Sequence, residues 1–443
     1  MTCFSRLALG CLPLVFALAC SSGGDAPAPG SGSGGTGAGT GAASGVGGVV
    51  GAGGDGSGGV VGSGAASGSG AAPGSGAAPG SGATPNSGGT PGAGGAGTGT
   101  GGVGDFVPLG AKCETFGSTP LRTAFATEYA AWKASQLETC GAGARVKGCP
   151  AADASGTCSE AMGYGMLLAV GADDKDTFDK LNTYRLEMLT QSSTSDKSLM
   201  PWAIWASKAC PPTAESGDRN SATDADIDAA MALLQAEHRW GGGTYRTQAE
   251  TTLASVLALE VVGSGASLKL KPGNHDGDLR DYVAYYTPAY FAVFAELTGQ
   301  TKWTELTDAY YTRLLANQCA GNGQIYDDFQ YPSGECRFWW DSCRVPWRVS
   351  LDYAWHQDAR AKQYLDKLEG FVGSDPSAIS DQKNSAFAGA AVLSALSNDD
   401  SARMQELCNA WANASGLDDA PYFQKTLRLL YLMVAGGMFV RPG

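Results

Sequence analysis

Three short runs carry side chains of the types that move protons. They are Ser159-Glu160-Ala161-Met162-Gly163-Tyr164-Gly165-Met166, Ala222-Thr223-Asp224-Ala225-Asp226, and Trp340-Asp341-Ser342-Cys343-Arg344-Val345-Pro346-Trp347-Arg348. Each sets a carboxylate at an expected helix start. One carboxyl that keeps its proton and another that stays ionised can divide acid and base work on a glycosidic bond, if a rigid scaffold holds them apart. Every run also has an ordinary structural reading. Thr223 with Asp226 fits a helix-capping pair, Glu160 fits a first-turn partner of the helix dipole, and Asp341 beside Arg344 and Arg348 fits a plain ion pair. Joint placement separates the two readings.

That placement comes from the elements around the runs. Apolar residues recur at helical spacing, as in Phe125, Tyr129, Trp132, in Ile227, Met231, Leu234, and in Met404, Leu407, Cys408, Trp411. The spacing predicts helices over 119–138, 160–171, 175–191, 225–239, 245–262, 288–298, 302–318, 345–356, 358–372, 384–397, 401–414 and 420–435, with no clear period-two run. Twelve helices make six hairpins, and six hairpins close into an all-α (α/α)6 barrel. The even-numbered helices are the more apolar and are expected to form its inner layer. Glu160 begins the second helix, Asp224 lies just before the fourth, Tyr285-Tyr286-Thr287-Pro288 opens the sixth, and Asp341 lies shortly before the eighth. All then fall on one rim, where helix N-termini present unpaired N–H groups. Trp202, Trp205, Tyr285, Trp339, Trp340 and Trp347 lie near the same helix starts or rim loops, and aromatic faces suit the apolar faces of sugar rings.

Upstream, the chain is of another kind. Residues 1–19 read as an export signal, with Arg6 followed by an apolar stretch. The ending Ala17-Leu18-Ala19-Cys20 resembles a bacterial lipoprotein processing site, so lipidation at Cys20 is expected, with ordinary cleavage and release as the alternative. Residues 20–105 are almost wholly Gly, Ser, Ala, Thr and Pro, with a near-repeat of Gly68-Ser69-Gly70-Ala71-Ala72-Pro73. Such a segment cannot bury enough apolar surface to offset its ordering entropy, and as a flexible tether it would reach about 50 Å. Residues 106–443 form one large domain. The net charge of −13 argues against a nucleic-acid partner and fits a neutral polymer. Membrane attachment is expected only through a lipid at Cys20, and the chain is expected to be a monomer, either in the cell envelope or secreted.

Nine cysteines fall in the domain, so several disulfides are expected in an oxidising compartment, with at least one thiol unpaired. Only three histidines occur and no Cys pair has C-x-x-C spacing, so neither a metal nor another cofactor is expected. Asp224-Ala225-Asp226-Ile227-Asp228 resembles the start of a calcium loop, but Ala229 and Gln235 stand where Gly and Glu are needed.

The three runs, with Trp240 closing the second, resemble the signatures of glycoside hydrolase family 8, in the family's order, across essentially all of residues 110–440. The resemblance implies an (α/α)6 barrel and inverting endo-hydrolysis of β-1,4-linked polysaccharide, cellulose first, with xylanases, lichenases and chitosanases alongside. By motif position, Glu160 would be the general acid and Asp341 the general base that activates water, while Asp224 would grip the distorted sugar. Trp202 and Tyr285 would line sugar subsites, Tyr164 and Asp226 would join the substrate-binding set, and Arg344 would orient the carboxylates. The chain departs from the family at Ala161-Met162, Ala229, Ala284-Tyr285-Tyr286 and Gly277-Asp278-Leu279, and the last two bear on polymer choice.

An inverting pair needs room for a water, so the working carboxyls are expected about 6.5–9.5 Å apart. Glu160 is expected to have a raised pKa from burial and the Asp224 charge, and Asp341 to stay ionised beside Arg344. Two other classes stay open: a non-catalytic surface protein holding polysaccharide in the same cleft, and an (α/α) lyase, which would call for a basic site.

Overall fold

The computed structural model describes residues 112–149, 155–275, 277, 280–319, 322–330, 338–398, 400–418 and 422–443. The expected export signal, the tether, Cys20 and the departures at Asp278 and Leu279 lie outside the described residues.

Twelve α-helices occur among the described residues: α1 (Leu121–Gln136), α2 (Ser159–Gly171), α3 (Lys175–Leu189), α4 (Thr223–Trp240), α5 (Thr244–Leu259), α6 (Pro288–Thr298), α7 (Lys302–Ala316), α8 (Val345–His356), α9 (Ala359–Val372), α10 (Ser385–Leu393), α11 (Ser401–Asn413) and α12 (Phe423–Ala435). The even-numbered helices are the inner layer. Thr223 to Ala236 of α4 are buried without a break, whereas α9 buries only the stripe Ala361, Tyr364, Leu365, Leu368 and Val372. A helix enclosed on all sides must be apolar or internally paired all round, while an outer helix needs one apolar stripe.

The inner helices close a ring. α2 lies between α4 and α12, α8 between α6 and α10, and α10 meets α12, while α4 touches the turn Val283–Tyr285 that leads into α6. Each inner helix packs on the outer helix that follows it, from α2 with α3 to α10 with α11. The sixth pair joins opposite ends of the chain, α12 with α1. Trp132 donates to Thr426 at 2.9 Å across that pair, the Lys112 and Cys113 amides donate to the Ala435 carbonyl, and a Cys113–Cys408 disulfide ties the domain start to α11.

Four two-stranded antiparallel ladders supplement the helices, at 115–116 with 119–120, 137–140 with 143–146, 157–158 with 203–204, and 261–262 with 269–270. Most pair only two residues, too few to leave an alternation in the sequence. The third positions the site. Cys158 pairs with Ala203, and the Ser159 amide donates to the Trp202 carbonyl at 3.0 Å, which fixes the start of α2 against the Trp202 segment. Disulfides also join Cys140–Cys210 and Cys149–Cys158, and Cys319 is disulfide-bonded as well. Cys343 keeps a buried free thiol, as the odd count requires of at least one cysteine.

Candidate active site

Asp174, Asp358, Asn384 and Asp400 each cap a helix with a side-chain oxygen, whereas α2 and α4 start without a side-chain cap. The expected capping pair at α4 does not form. The helix begins at Thr223, whose hydroxyl donates to the Lys271 carbonyl, and Asp224 sits inside the first turn. The first-turn carboxylates of α2 and α4 are thus free for partners across the ring.

Helical spacing stacks those partners in two tiers. Glu160 and Tyr164 on α2, Asp224 and Asp228 on α4, and Arg344 just before α8 with Arg348 inside it are each four residues apart, so each pair lies on one face a turn apart. Gly163 permits the close approach of α2 to α4, because a Cβ there would meet the Ala225 carbonyl oxygen at 3.1 Å and the Asp228 Cβ at 3.2 Å.

In the upper tier one guanidinium gathers three carboxylates. Arg344 Nη1 donates to Glu160 Oε2 at 2.9 Å and to Asp224 Oδ2 at 2.8 Å, while Nη2 donates to Asp341 Oδ1. Nη1 also reaches the Tyr164 hydroxyl at 2.9 Å. Side-chain exposure separates the acids: 13% for Glu160 and 10% for Asp341 against 3% for Asp224. Glu160 and Asp341 therefore keep the accessible edges. In the lower tier Arg348 and Asp228 form a fully buried bidentate pair at 2.5 and 2.6 Å, with the Arg348 guanidinium 3.8 Å from the Trp347 ring centroid. That pair is neutral in itself and leaves Arg344 to balance the mouth.

One cation cannot balance three buried carboxylates, so the cluster favours retaining protons. Burial raises the Glu160 pKa, against Arg344, which lowers it, and with Asp224, which adds to the rise. The same cause pushes Asp341 up to about 7, with Arg344 opposing and Asp327 adding to the rise. The expectation that Arg344 keeps Asp341 simply ionised is corrected: burial outweighs the ion pair, and Asp341 titrates near neutrality. The groups share one guanidinium, so their titrations are linked.

The aromatic and outlying positions divide. Tyr285 is on the rim, buried, with its ring centroid 5.9 Å from the Arg344 guanidinium carbon. Trp202 is half-buried beside the start of α2, and Trp339 and Trp340 pack together at 5.8 Å on the Asp341 side. Trp205 donates to Asp218, which Trp202 also faces, and Trp347 is fully buried core. Tyr164 and Asp226, expected to contact substrate, are fully enclosed. Tyr164 instead supports Arg344, and Asp226 accepts the Met200 amide at 3.0 Å, two residues before Trp202. Burial pushes Asp226 up to about 8.

Two members of the site escape the sequence motifs. Tyr422, just before α12, donates to Glu160 Oε1 at 2.6 Å. Asp327, in the segment between α7 and α8, accepts the Ser342 amide at 2.7 Å and faces Asp341 electrostatically. Neither lies in one of the three runs, although Asp327 is followed by Asp328 and Tyr422 comes soon after Asp418 and Asp419. Only their placement before an inner helix hints at the rim.

A helical ring with several carboxyls converging on one mouth is the arrangement that glycoside hydrolysis requires. The sequence pattern of Glycosyl hydrolases family 8 matches residues 119–437, and the chain belongs to that family. It is 31% identical over 347 residues to Endoglucanase A of Acetivibrio thermocellus, covering 71% of this chain and 69% of the relative. To Endoglucanase 2 of Ruminiclostridium josui it is 28% identical, over 75% of each chain. Among solved structures, the apo β-1,3-1,4-glucanase of Paenibacillus sp. X4 superimposes with a TM-score of 0.62 at 23% identity, covering 75% of this chain and 97% of that one, which shows the shared fold.

Proposed function

We propose that this chain is an endo-acting, inverting hydrolase of β-1,4-linked glucan. Glu160 protonates the leaving oxygen, Asp341 takes a proton from the attacking water, and Asp224 grips the sugar at the cleavage point. The observation that carries this reading is the Arg344 guanidinium, which holds Glu160, Asp224 and Asp341 at one mouth. The raised Glu160 pKa suits a group that must arrive protonated, and an Asp341 titrating near 7 suits a base. An excess of carboxylates over cations there speaks against a lyase, which would need to hold an anionic uronate. The names of the two endoglucanase relatives support glucan as the polymer.

Export with a lipid at Cys20 and a tether over 20–105 would let the domain sweep an insoluble surface, and the disulfides are in keeping with an oxidising compartment.

Glu160→Gln and Asp341→Asn test the assignment. Each is expected to lower hydrolysis of a soluble β-1,4-glucan by at least about a hundred-fold while polysaccharide binding stays measurable. Near-normal turnover by either variant would refute it. A product profile across cellulose, xylan, mixed-linkage glucan and chitosan tests the polymer, and faster release from xylan than from cellulose would overturn the glucan assignment.

A further inference from the structure

Asp341 occupies the N-cap position of the short turn Ser342–Arg344, yet its own side chain caps nothing. An Asp at an N-cap ordinarily accepts an amide two or three residues on. Here the first amide of the turn, that of Ser342, donates at 2.7 Å to a carboxylate from elsewhere in the fold, Asp327. The Asp341 carboxylate is thereby released to face Arg344. The Asp327 backbone is itself anchored. Its carbonyl accepts the Val283 amide at 3.1 Å, the Phe329 amide donates to the Asp281 carbonyl at 3.0 Å, and Tyr282 bridges Asp328. The 327–329 segment therefore runs antiparallel to the residues leading to Tyr285, and one carboxylate joins the Tyr285 side of the mouth to the Asp341 side.

We propose that Asp327 is a positioning residue for Asp341: it takes over the capping of the turn that carries the base, and it presents a second negative charge to it. This rests on the reading of Asp341 as the base. The groups that face Asp341 are Arg344 on its own turn, Asp224 from α4, Asp327, the Tyr285 phenol and the Cys343 thiol. Arg344 favours the ionised form, while the Asp224 and Asp327 charges oppose it. Asp327 differs from Asp224 in having no bond to Arg344 among the described contacts, so its charge can be removed without dismantling the Arg344 cluster.

The test compares Asp327→Asn and Asp327→Ala with Asp341→Asn, reading kcat/KM against pH on a soluble cello-oligosaccharide. Both Asp327 variants remove the charge, but only Asn keeps an acceptor for the Ser342 amide. Losing a like charge favours ionised Asp341, so the acid limb is expected to move to lower pH by roughly one unit in both variants. Asp327→Asn is expected to keep its optimal turnover within about ten-fold of the parent, while Asp327→Ala falls further and melts at lower temperature because the Ser342 amide is left unpaired. A purely structural cap would leave the acid limb of Asp327→Asn unmoved, and that result overturns the proposal. So does an Asp327→Asn variant as inert at every pH as Asp341→Asn. If Asp341→Asn itself turns over normally, the base assignment fails first, and the two failures are told apart by that control.

Discussion

The Glu160 side of the mouth, proposed as the acid, and the Asp341 side, proposed as the base, are built differently. Glu160 sits in the first turn of α2, behind a strand pair and next to the Cys149–Cys158 disulfide, and its second oxygen is held by the neutral Tyr422 hydroxyl. Asp341 sits at the head of a short turn amid charge, with Arg344 bonded to it, and Asp327 and Asp224 opposing. Both residues share the Arg344 guanidinium; Glu160, the proposed donor, adds the uncharged Tyr422 hydroxyl, while Asp341, the proposed acceptor, faces the opposing charges of Asp327 and Asp224. Burial helps a group keep its proton by raising its pKa, while the Tyr422 hydroxyl moderates that rise at Glu160. A group that must lose and regain a proton near neutrality needs its stabilising and destabilising charges nearly matched.

Removing the guanidinium shared by both sides should have the largest effect. Arg344→Met leaves three buried carboxylates without their cation, and kcat/KM on soluble β-1,4-glucan is expected to fall by about a thousand-fold or more. Arg344→Lys keeps the charge but not the planar fork and should recover only part of that loss. Full activity in the Met variant would dissolve the comparison, since neither side would then depend on the shared cation.

Tyr422→Phe sharpens the comparison from the acid side. It deletes a hydrogen bond that favours ionised Glu160, so the Glu160 pKa should rise further and the basic limb of kcat/KM should move up by about one pH unit, with the acid limb unmoved. Asp327→Asn should move only the acid limb. If both variants moved both limbs equally, the two sides would be one electrostatic unit.

The smallest effect belongs below the mouth. Asp226 is protonated in the fold up to about pH 8 but ionises in the unfolded chain near the ordinary carboxylate value, so its contribution is present at low pH and is lost as pH rises through about 8. Asp226→Asn removes that dependence. The difference in melting temperature between variant and parent, followed from pH 5 to 9, should shift by a few degrees in the variant's favour as pH rises. A constant difference would show that Asp226 is ionised in the fold.

Much of this was legible beforehand because helical periodicity is local. The twelve helices fall within a few residues of the predicted segments, and the inner layer follows from helices such as α4 that are buried all round. The ends moved where long-range contacts intervened: 137–140 leaves α1 for a strand, and Ser394–Ser397 tightens to a 3-10 turn after α10. Tyr164 and Asp226 shared motifs with the catalytic candidates, but Tyr164 lies one turn deeper on the same face and Asp226 lies round the helix against the Met200 amide.

By itself the sequence determined a helical ring with Glu160, Asp224 and Asp341 at inner helix starts, because residue spacing and local polarity encode those features. Only the tertiary structure decided that α12 and α1 close the ring, that Arg344 joins all three acids, and that Tyr422 and Asp327 serve opposite sides of the mouth. Those pairings join residues far apart in the chain, and burial at their meeting point, rather than any local pattern, raised the Glu160 pKa and brought Asp341 to about 7.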